Sequence, residues 1–232
     1  MKYTRLLKNF LSRHVPKVMQ NYLANNYWEN LNFDKKIDRN LNKIEKIFSK
    51  IKIPNSIENC LEFGGSAGRN LLILSKLFKI NNIYNIDINK VVNDNKYQLL
   101  NYFPIYGSAD NLEVLEDNFF DLILVCSVFD HIVEEKIVIS ILKKLIKKTK
   151  KKLIIVEPYI PNFTKNTSYL SRKDCEIICE KDYKIFAKNS FFWDYKKILD
   201  KNKNIKYKIH DCSLHFSSLG PFYKIFEITK KY

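Results

Sequence analysis

Acidic side chains recur along this chain at intervals of one strand-and-helix repeat: Glu62, Asp87, Asp110, Asp130 and Glu157. Three of its five glycines, Gly64, Gly65 and Gly68, sit together in "NCLEFGGSAGRNLLIL", residues 59–74. Glycine suits a backbone that must turn tightly or approach a ligand closely, so this stretch reads as a binding loop. Asp87 follows Gly68 by 19 positions. That is near the offset of roughly 20 residues at which an acid accepts hydrogen bonds from a ribose diol. Loop and acid together predict a nucleoside-bearing ligand. His131 has the pKa range of a general base, and Asp130 or Glu157 could assist it.

Those residues act together only if the fold gathers them. The chain alternates apolar runs with amphipathic ones: "IENCLEF" (strand), "GRNLLILSKLF" (helix), "NIYNIDI" (strand), "NKVVNDNKYQLLN" (helix), "FPIYG" (strand), "FFDLILVCSV" (strand), "HIVEEKIVISILKKLIKK" (helix) and "KKLIIVEPY" (strand). Continuous Ile, Leu and Val strands, each followed by a helix, indicate a parallel sheet covered on both faces. "SFFWDYKKILDKN" predicts a further helix, and "IKYKIHDCSL" and "FYKIFEITKK" an antiparallel hairpin whose turn contains Gly220 and Pro221. In such a sheet ligands bind at the carboxyl ends of the strands, where the acids and the glycine loop fall. Residues 1–53 are expected to form a helical arm, 54–158 the cofactor-binding core, 159–190 an insertion on the substrate side, and 191–232 the closing helix and hairpin, all in one domain.

Composition narrows the setting. The chain has 232 residues, 46% of them hydrophobic, enough for one well-packed core. No run approaches the roughly 18 to 20 apolar residues of a membrane span, and the basic, broken start does not resemble a secretion signal. A cytoplasmic protein is expected. Five scattered cysteines give neither a zinc motif nor a disulfide framework. The net charge of +15 is mostly lysine, with only five arginines, in a chain also rich in Asn and Ile. An AT-rich coding sequence would produce the same excess, and the arginines preferred for planar phosphate and base recognition are few.

The loop separates two classes of nucleoside cofactor. A dinucleotide site wants G-x-G-x-x-G so that backbone N–H groups hold a pyrophosphate, and neither Gly64 nor Gly65 begins that pattern. Glu62 before the loop would repel pyrophosphate but suits a ligand carrying an amine and a sulfonium. Here "EFGGSAG" and "GSADNLEVLEDNFFDLILVCSVFDHI" closely resemble the class I S-adenosylmethionine-dependent methyltransferases over most of residues 55–160. Ser66 replaces the usual middle glycine of the first motif. The resemblance implies a seven-stranded, mostly parallel Rossmann-like α/β sheet with helices on both faces and an antiparallel end. It implies S-adenosyl-L-methionine held by Glu62, Gly64, Gly65, Ser66 and Gly68, the ribose by Asp87 beside Ile88, and the adenine by Ser108, Ala109 and Asp110. It further implies contacts to the amino acid moiety near Cys126 and Ser127, with Tyr27 of an N-terminal segment folding over the cofactor. Other roles exist for several of these: Asp87 as a helix cap, Asp110 as a turn stabiliser, His131 as a partly packed core residue, Tyr27 as an anchor.

Methyl transfer is an in-line displacement, and a hydroxyl acceptor benefits from a base, the role open to His131 with Asp130 and Glu157. Two carboxylates without a third ligand make a weak metal case, and no metal is expected. The order "YWEN", glycine motif, "FDLILVCSVFDHI", "LIIVEPY" and "FFWDY" resembles, more loosely, methyltransferases of bacterial surface-polysaccharide biosynthesis. That resemblance implies a small carbohydrate or nucleotide-sugar acceptor, with Tyr159, Phe163, Tyr169 and Arg172 available to stack on a sugar or pair with phosphate. The rival reading is an RNA methyltransferase, supported by the basic run "KKLIKKTKKK", residues 143–152. The run is expected at the sheet edge opposite the strand carboxyl ends, and no "NPPY"-like tetrapeptide or RNA-binding module accompanies it, so a nucleic-acid partner is disfavoured. A non-catalytic basic binding protein on the same frame is the third reading.

Overall fold

The structure is a computed structural model that describes residues 45, 47–49, 51–53, 56–132, 134–159, 169–170, 192–212 and 223–231. The glycine loop lies between strand β1 (Ser56–Phe63) and helix α1 (Arg69–Leu77). Strand β2 (Lys79–Asp87), strand β3 (Tyr102–Tyr106) and strand β4 (Phe120–Cys126) follow. Helix α2 (Glu135–Lys148) leads into strand β5 (Thr149–Pro158). After a two-residue ladder of Tyr169–Leu170 with Phe192–Trp193 come helix α3 (Tyr195–Asp200), strand β6 (Ile205–Asp211) and strand β7 (Tyr223–Lys230).

One seven-stranded sheet has the order β3-β2-β1-β4-β5-β7-β6. The first five strands are parallel, and β7 runs antiparallel between β5 and β6. The order reverses between β1 and β4, the crevice where a ligand is expected. Alternation along the strands sends Cys60, Leu122, Leu124, Ile154 and Val156 to one face, under α1. Leu61, Ile123, Val125, Leu153 and Ile155 go to the other face, under α2 and α3. Each layer is closed by an apolar helix stripe, Leu71, Ile73 and Leu74 on one side and Val138, Ile141, Leu142 and Leu145 on the other.

Two elements differ from the sequence pattern. The helix expected over 89–101 is a five-residue 3₁₀ turn, Lys90–Asp94. Asn95, Gln98 and Asn101 adopt left-handed φ values of 39°, 52° and 48°, which end any helix. The Asn95 side chain also bonds the backbone N–H and C=O of Leu99, an alternative that asparagine offers to helical bonding. Helix α2 begins at Glu135, not at His131, which belongs to a separate 3₁₀ turn, Phe129–His131. Of the expected arm, only Glu45, Ile47 to Ser49 and 51–53 are described, with Ile47 and Phe48 buried in the α1 layer. Tyr27 and most of 159–190, including Phe163 and Arg172, lie outside the described residues.

Candidate active site

The loop after β1 is shaped by what lies beneath it. Glu62 is fully buried, and its Oε1 accepts from Asn70 Nδ2 at 2.5 Å. Burial pushes its carboxyl up to about 7, against the opposing hydrogen bond from Asn70 and the Arg69 charge. Gly65 passes so close that a Cβ would stand 2.3 Å from Asn85 Oδ1 and 2.7 Å from Glu62 Oε2. Gly64 has φ +76°, and a Cβ there would meet Val128 Cγ2 at 2.3 Å. Ser66, at the position of the usual middle glycine, keeps the left-handed form with φ 49°. Two residues of β2 hold its peptide groups: Asp87 Oδ2 accepts from Ser66 N at 2.7 Å, and Asn85 Nδ2 donates to Ser66 O at 2.9 Å. These bonds offset the roughly 1 kcal/mol or more by which a non-glycine residue disfavours that conformation.

Asp87 also accepts from Asn89 N at 2.7 Å through Oδ1, so each oxygen already steers one backbone N–H and retains a second lone pair. Its carboxyl is raised by burial, with those two hydrogen bonds opposing. Ile88 follows it, half-buried. On the next strand, Gly107 N donates to Asp87 O at 2.9 Å and Ser108 caps a short 3₁₀ turn reciprocally with Asn111. Ala109 is half-buried, whereas the Asp110 carboxylate is exposed and 3.0 Å from Lys144 of α2.

Beyond β4 the chain makes a sharp turn. Burial pushes the Cys126 thiol up, away from thiolate character. Ser127 has φ 55°, and its hydroxyl lies 2.7 Å from that of Tyr223 on β7. The next three backbone N–H groups converge on one carboxylate: Val128 N and Phe129 N donate to Glu157 Oε1 at 2.6 and 2.9 Å, and Asp130 N to Oε2 at 3.3 Å. Trp193 Nε1 donates to Phe129 O at 2.7 Å, pinning the other side of the turn. Glu157 is fully buried; desolvation first, then the charge of Asp130, raises its carboxyl. His131 Nε2 sits 3.4 Å from Asp130 Oδ1, with 27% of the imidazole side chain exposed and Asp130 buried. The turn thus offers a carboxylate-backed imidazole to solvent.

Among the described residues, Glu62 Oε2, Asn70 Oδ1 and Asn85 Oδ1 are buried acceptors with no hydrogen-bond partner. A surplus of acceptors under a glycine loop matches a ligand with ammonium and sulfonium groups and repels a pyrophosphate. The residues present therefore fit S-adenosylmethionine. Residues 61–152 match the family of methyltransferase domains. Residues 61–152 carry a methyltransferase domain, with S-adenosylmethionine as its cofactor. No curated protein matches the chain in sequence. Solved structures with the same fold include a SAM-dependent methyltransferase of Leishmania major, at TM-score 0.64 and 15% identity over 90% of this chain and 83% of that one. Another, from Aquifex aeolicus, has TM-score 0.55 and 19% identity over 83% and 93%. The mitomycin 7-O-methyltransferase MmcR has TM-score 0.58 and 13% identity over 83% of this chain, which spans 54% of its length.

In this methyltransferase the structure brings Glu62, Gly64, Gly65, Ser66, Gly68, Asp87, Cys126, Ser127 and Glu157 to adjoining strand ends, with Asp130 and His131 in the turn after β4. The pattern of strand ends did not point to Asn70, Asn85, Val128, Trp193 or Tyr223. Asn85 had a local signal: a polar residue in the apolar run "NIYNIDI" of a strand buried on both faces needs a partner. Tyr223 had none, being 96 residues from Ser127. The basic run starts within reach of Asp110 at Lys144 and continues to the end of the sheet where β4 and β5 begin. Lys144 pairs with Asp110 and Glu113, Lys147 and Lys148 with Asp117, Lys150 and Lys151 with Asp121, and Lys152 with Glu227. Those lysines are compensated within the chain, which leaves a weaker field for a polyanion. Among the described residues, no helix is long and apolar enough to cross a membrane, and no group of three or more His, Cys, Asp or Glu side chains is arranged to hold a metal.

Proposed function

We propose that this methyltransferase O-methylates a small hydroxyl-bearing acceptor, a sugar or sugar-phosphate such as a nucleotide sugar, and that His131 removes the hydroxyl proton. The observation that carries the reading is the Asp130–His131 pair at 3.4 Å, its imidazole partly exposed and three residues beyond Val128, which packs on Gly64 of the glycine loop. Asp130 stabilises the imidazolium as the proton arrives, and Glu157 supports the turn from below. Bound S-adenosylmethionine supplies the methyl group. In this reading Asp87 accepts from the ribose hydroxyls through its remaining lone pairs, beside Ile88. Ser108, Ala109 and the Asp110 backbone border the adenine, and the Cys126–Ser127 segment flanks the amino acid moiety. The choice of a carbohydrate, and of surface-polysaccharide biosynthesis as its setting, rests on the sequence resemblance alone. The ion-paired lysines weigh against RNA.

The test is transfer of label from methyl-labelled S-adenosylmethionine to a panel of nucleotide sugars, sugar phosphates and total RNA. Methylation of a sugar hydroxyl that falls at least about a hundredfold in His131→Ala, the scale of a lost general base, supports the reading. Methylation of RNA with no small acceptor, or full activity in His131→Ala, overturns it.

A further inference from the structure

We propose that Glu157 is a positioning residue that couples the acceptor side of the active site to the cofactor loop, acting through the Val128 turn and touching neither ligand. The inference rests on the reading of this crevice as the methyl-transfer site.

A three-residue 3₁₀ turn is intrinsically weak, and Phe129–His131 has no capping side chain of its own. Glu157, from the end of β5, replaces that cap from 27 to 29 residues away by accepting the consecutive N–H groups of Val128, Phe129 and Asp130. Three successive amides around one carboxylate form an anion nest whose geometry fixes the path of the backbone. The two ends of this turn carry Val128 and His131. Val128 packs onto Gly64 so tightly that there is no room for a Cβ, so it forms part of the seat of the cofactor loop. His131 stands at the other end, beside Asp130. Moving the turn therefore moves the seat of the loop and the imidazole together. The groups facing the carboxylate are Asp130 from the turn itself, Tyr195 from α3, Tyr223 from β7 and Cys126 from β4.

The experiment measures affinity for S-adenosylhomocysteine by calorimetry in wild type, Glu157→Ala, Glu157→Gln, Val128→Ala and the double variant Val128→Ala/Glu157→Ala. Gln retains the oxygen that accepts from Val128 and Phe129, so Glu157→Gln should bind within about threefold of wild type while Glu157→Ala weakens binding about tenfold or more. Because both act through one turn, the double variant should be little weaker than Glu157→Ala alone. Unchanged affinity in Glu157→Ala overturns the proposal, as do losses in the two single variants that multiply in the double. Glu157→Gln falling as far as Glu157→Ala assigns the effect to charge and also overturns it. Should Glu157→Ala not fold, Glu157→Asp, whose shorter side chain cannot reach all three amides, takes its place in the same cycle with Val128→Ala. A wild-type chain that binds neither S-adenosylmethionine nor S-adenosylhomocysteine refutes the underlying site instead, so the two failures are distinct.

Discussion

Replacing Glu62 by Gln should make this protein more stable in mild alkali and leave it nearly unchanged in acid. The fully buried carboxyl is raised from 4.5 to about 7, chiefly by desolvation. A folded-state value above the unfolded one means that the native protein holds its proton more tightly, so the stabilising contribution is complete below pH 4.5 and fades as pH rises through 7. At about 1.4 kcal/mol per tenfold change in proton affinity, the native state loses about 3 kcal/mol of stability from this group between those limits. The Glu62→Gln variant would carry no such penalty. Its amide oxygen can accept from Asn70 as Glu62 Oε1 does, and its NH₂ group would enter the space beside Gly65 where Asn85 Oδ1 lacks a donor. Urea denaturation of both proteins at pH 5, 6, 7 and 8 reads the effect directly. The two stability curves should diverge with rising pH until the variant leads by about 3 kcal/mol, a margin that moves the urea midpoint by about 1 M or more. Taking the difference cancels other raised carboxyls such as Asp87 and Glu157. Parallel curves, or a variant less stable than wild type at pH 8, would refute the reasoning.

Gly65→Ala should lower cofactor affinity at least tenfold and destabilise the fold by about 1–3 kcal/mol, because its Cβ would stand 2.3 Å from Asn85 Oδ1 in a closed space; calorimetry and thermal denaturation measure the two effects. Asp87→Asn turns one backbone-accepting oxygen into a donor facing Ser66 N or Asn89 N, and should cost about 1–3 kcal/mol in stability along with cofactor affinity, read by the same two methods. Asp110→Asn removes only an exposed ion pair with Lys144, so stability should change by less than about 1 kcal/mol and cofactor affinity by less than about threefold in titrations of the two proteins.

The sheet was legible because its strands are continuous apolar runs, and the candidate site was proposed from residues that cluster next to strand ends. Local sequence carried both signals. The 3₁₀ turn that replaces a helix at Lys90–Asp94 was misread because asparagine side chains can bond backbone either within or outside a helix, and periodicity alone does not separate the two. Glu157 was legible as an acid at a strand end, but its engagement with the Val128–Asp130 backbone was not. That contact spans 27 to 29 residues and involves amides every sequence possesses. The same holds for Val128, whose importance lies in the Cβ that Gly64 lacks.

A chain of net charge +15 nevertheless buries Glu62, Asp130 and Glu157 around the candidate site, and pairs many of its lysines with carboxylates elsewhere. That arrangement bears on turnover. S-adenosylmethionine carries a positive sulfonium that its demethylated product lacks, so an ionised Glu62 favours the donor over the product. At an effective dielectric of about 20, one such opposite-charge interaction is worth on the order of 2 kcal/mol, or some thirtyfold in relative affinity. Glu62 titrates near 7, so the preference should be small at pH 6 and grow towards pH 8. Competitive calorimetry with the two ligands across that range should show the ratio rising by about tenfold in wild type and staying flat in Glu62→Gln. A ratio independent of pH in both proteins would mean that the carboxyl never exchanges its proton while the loop is loaded, and that donor and product are told apart by the shape of the site.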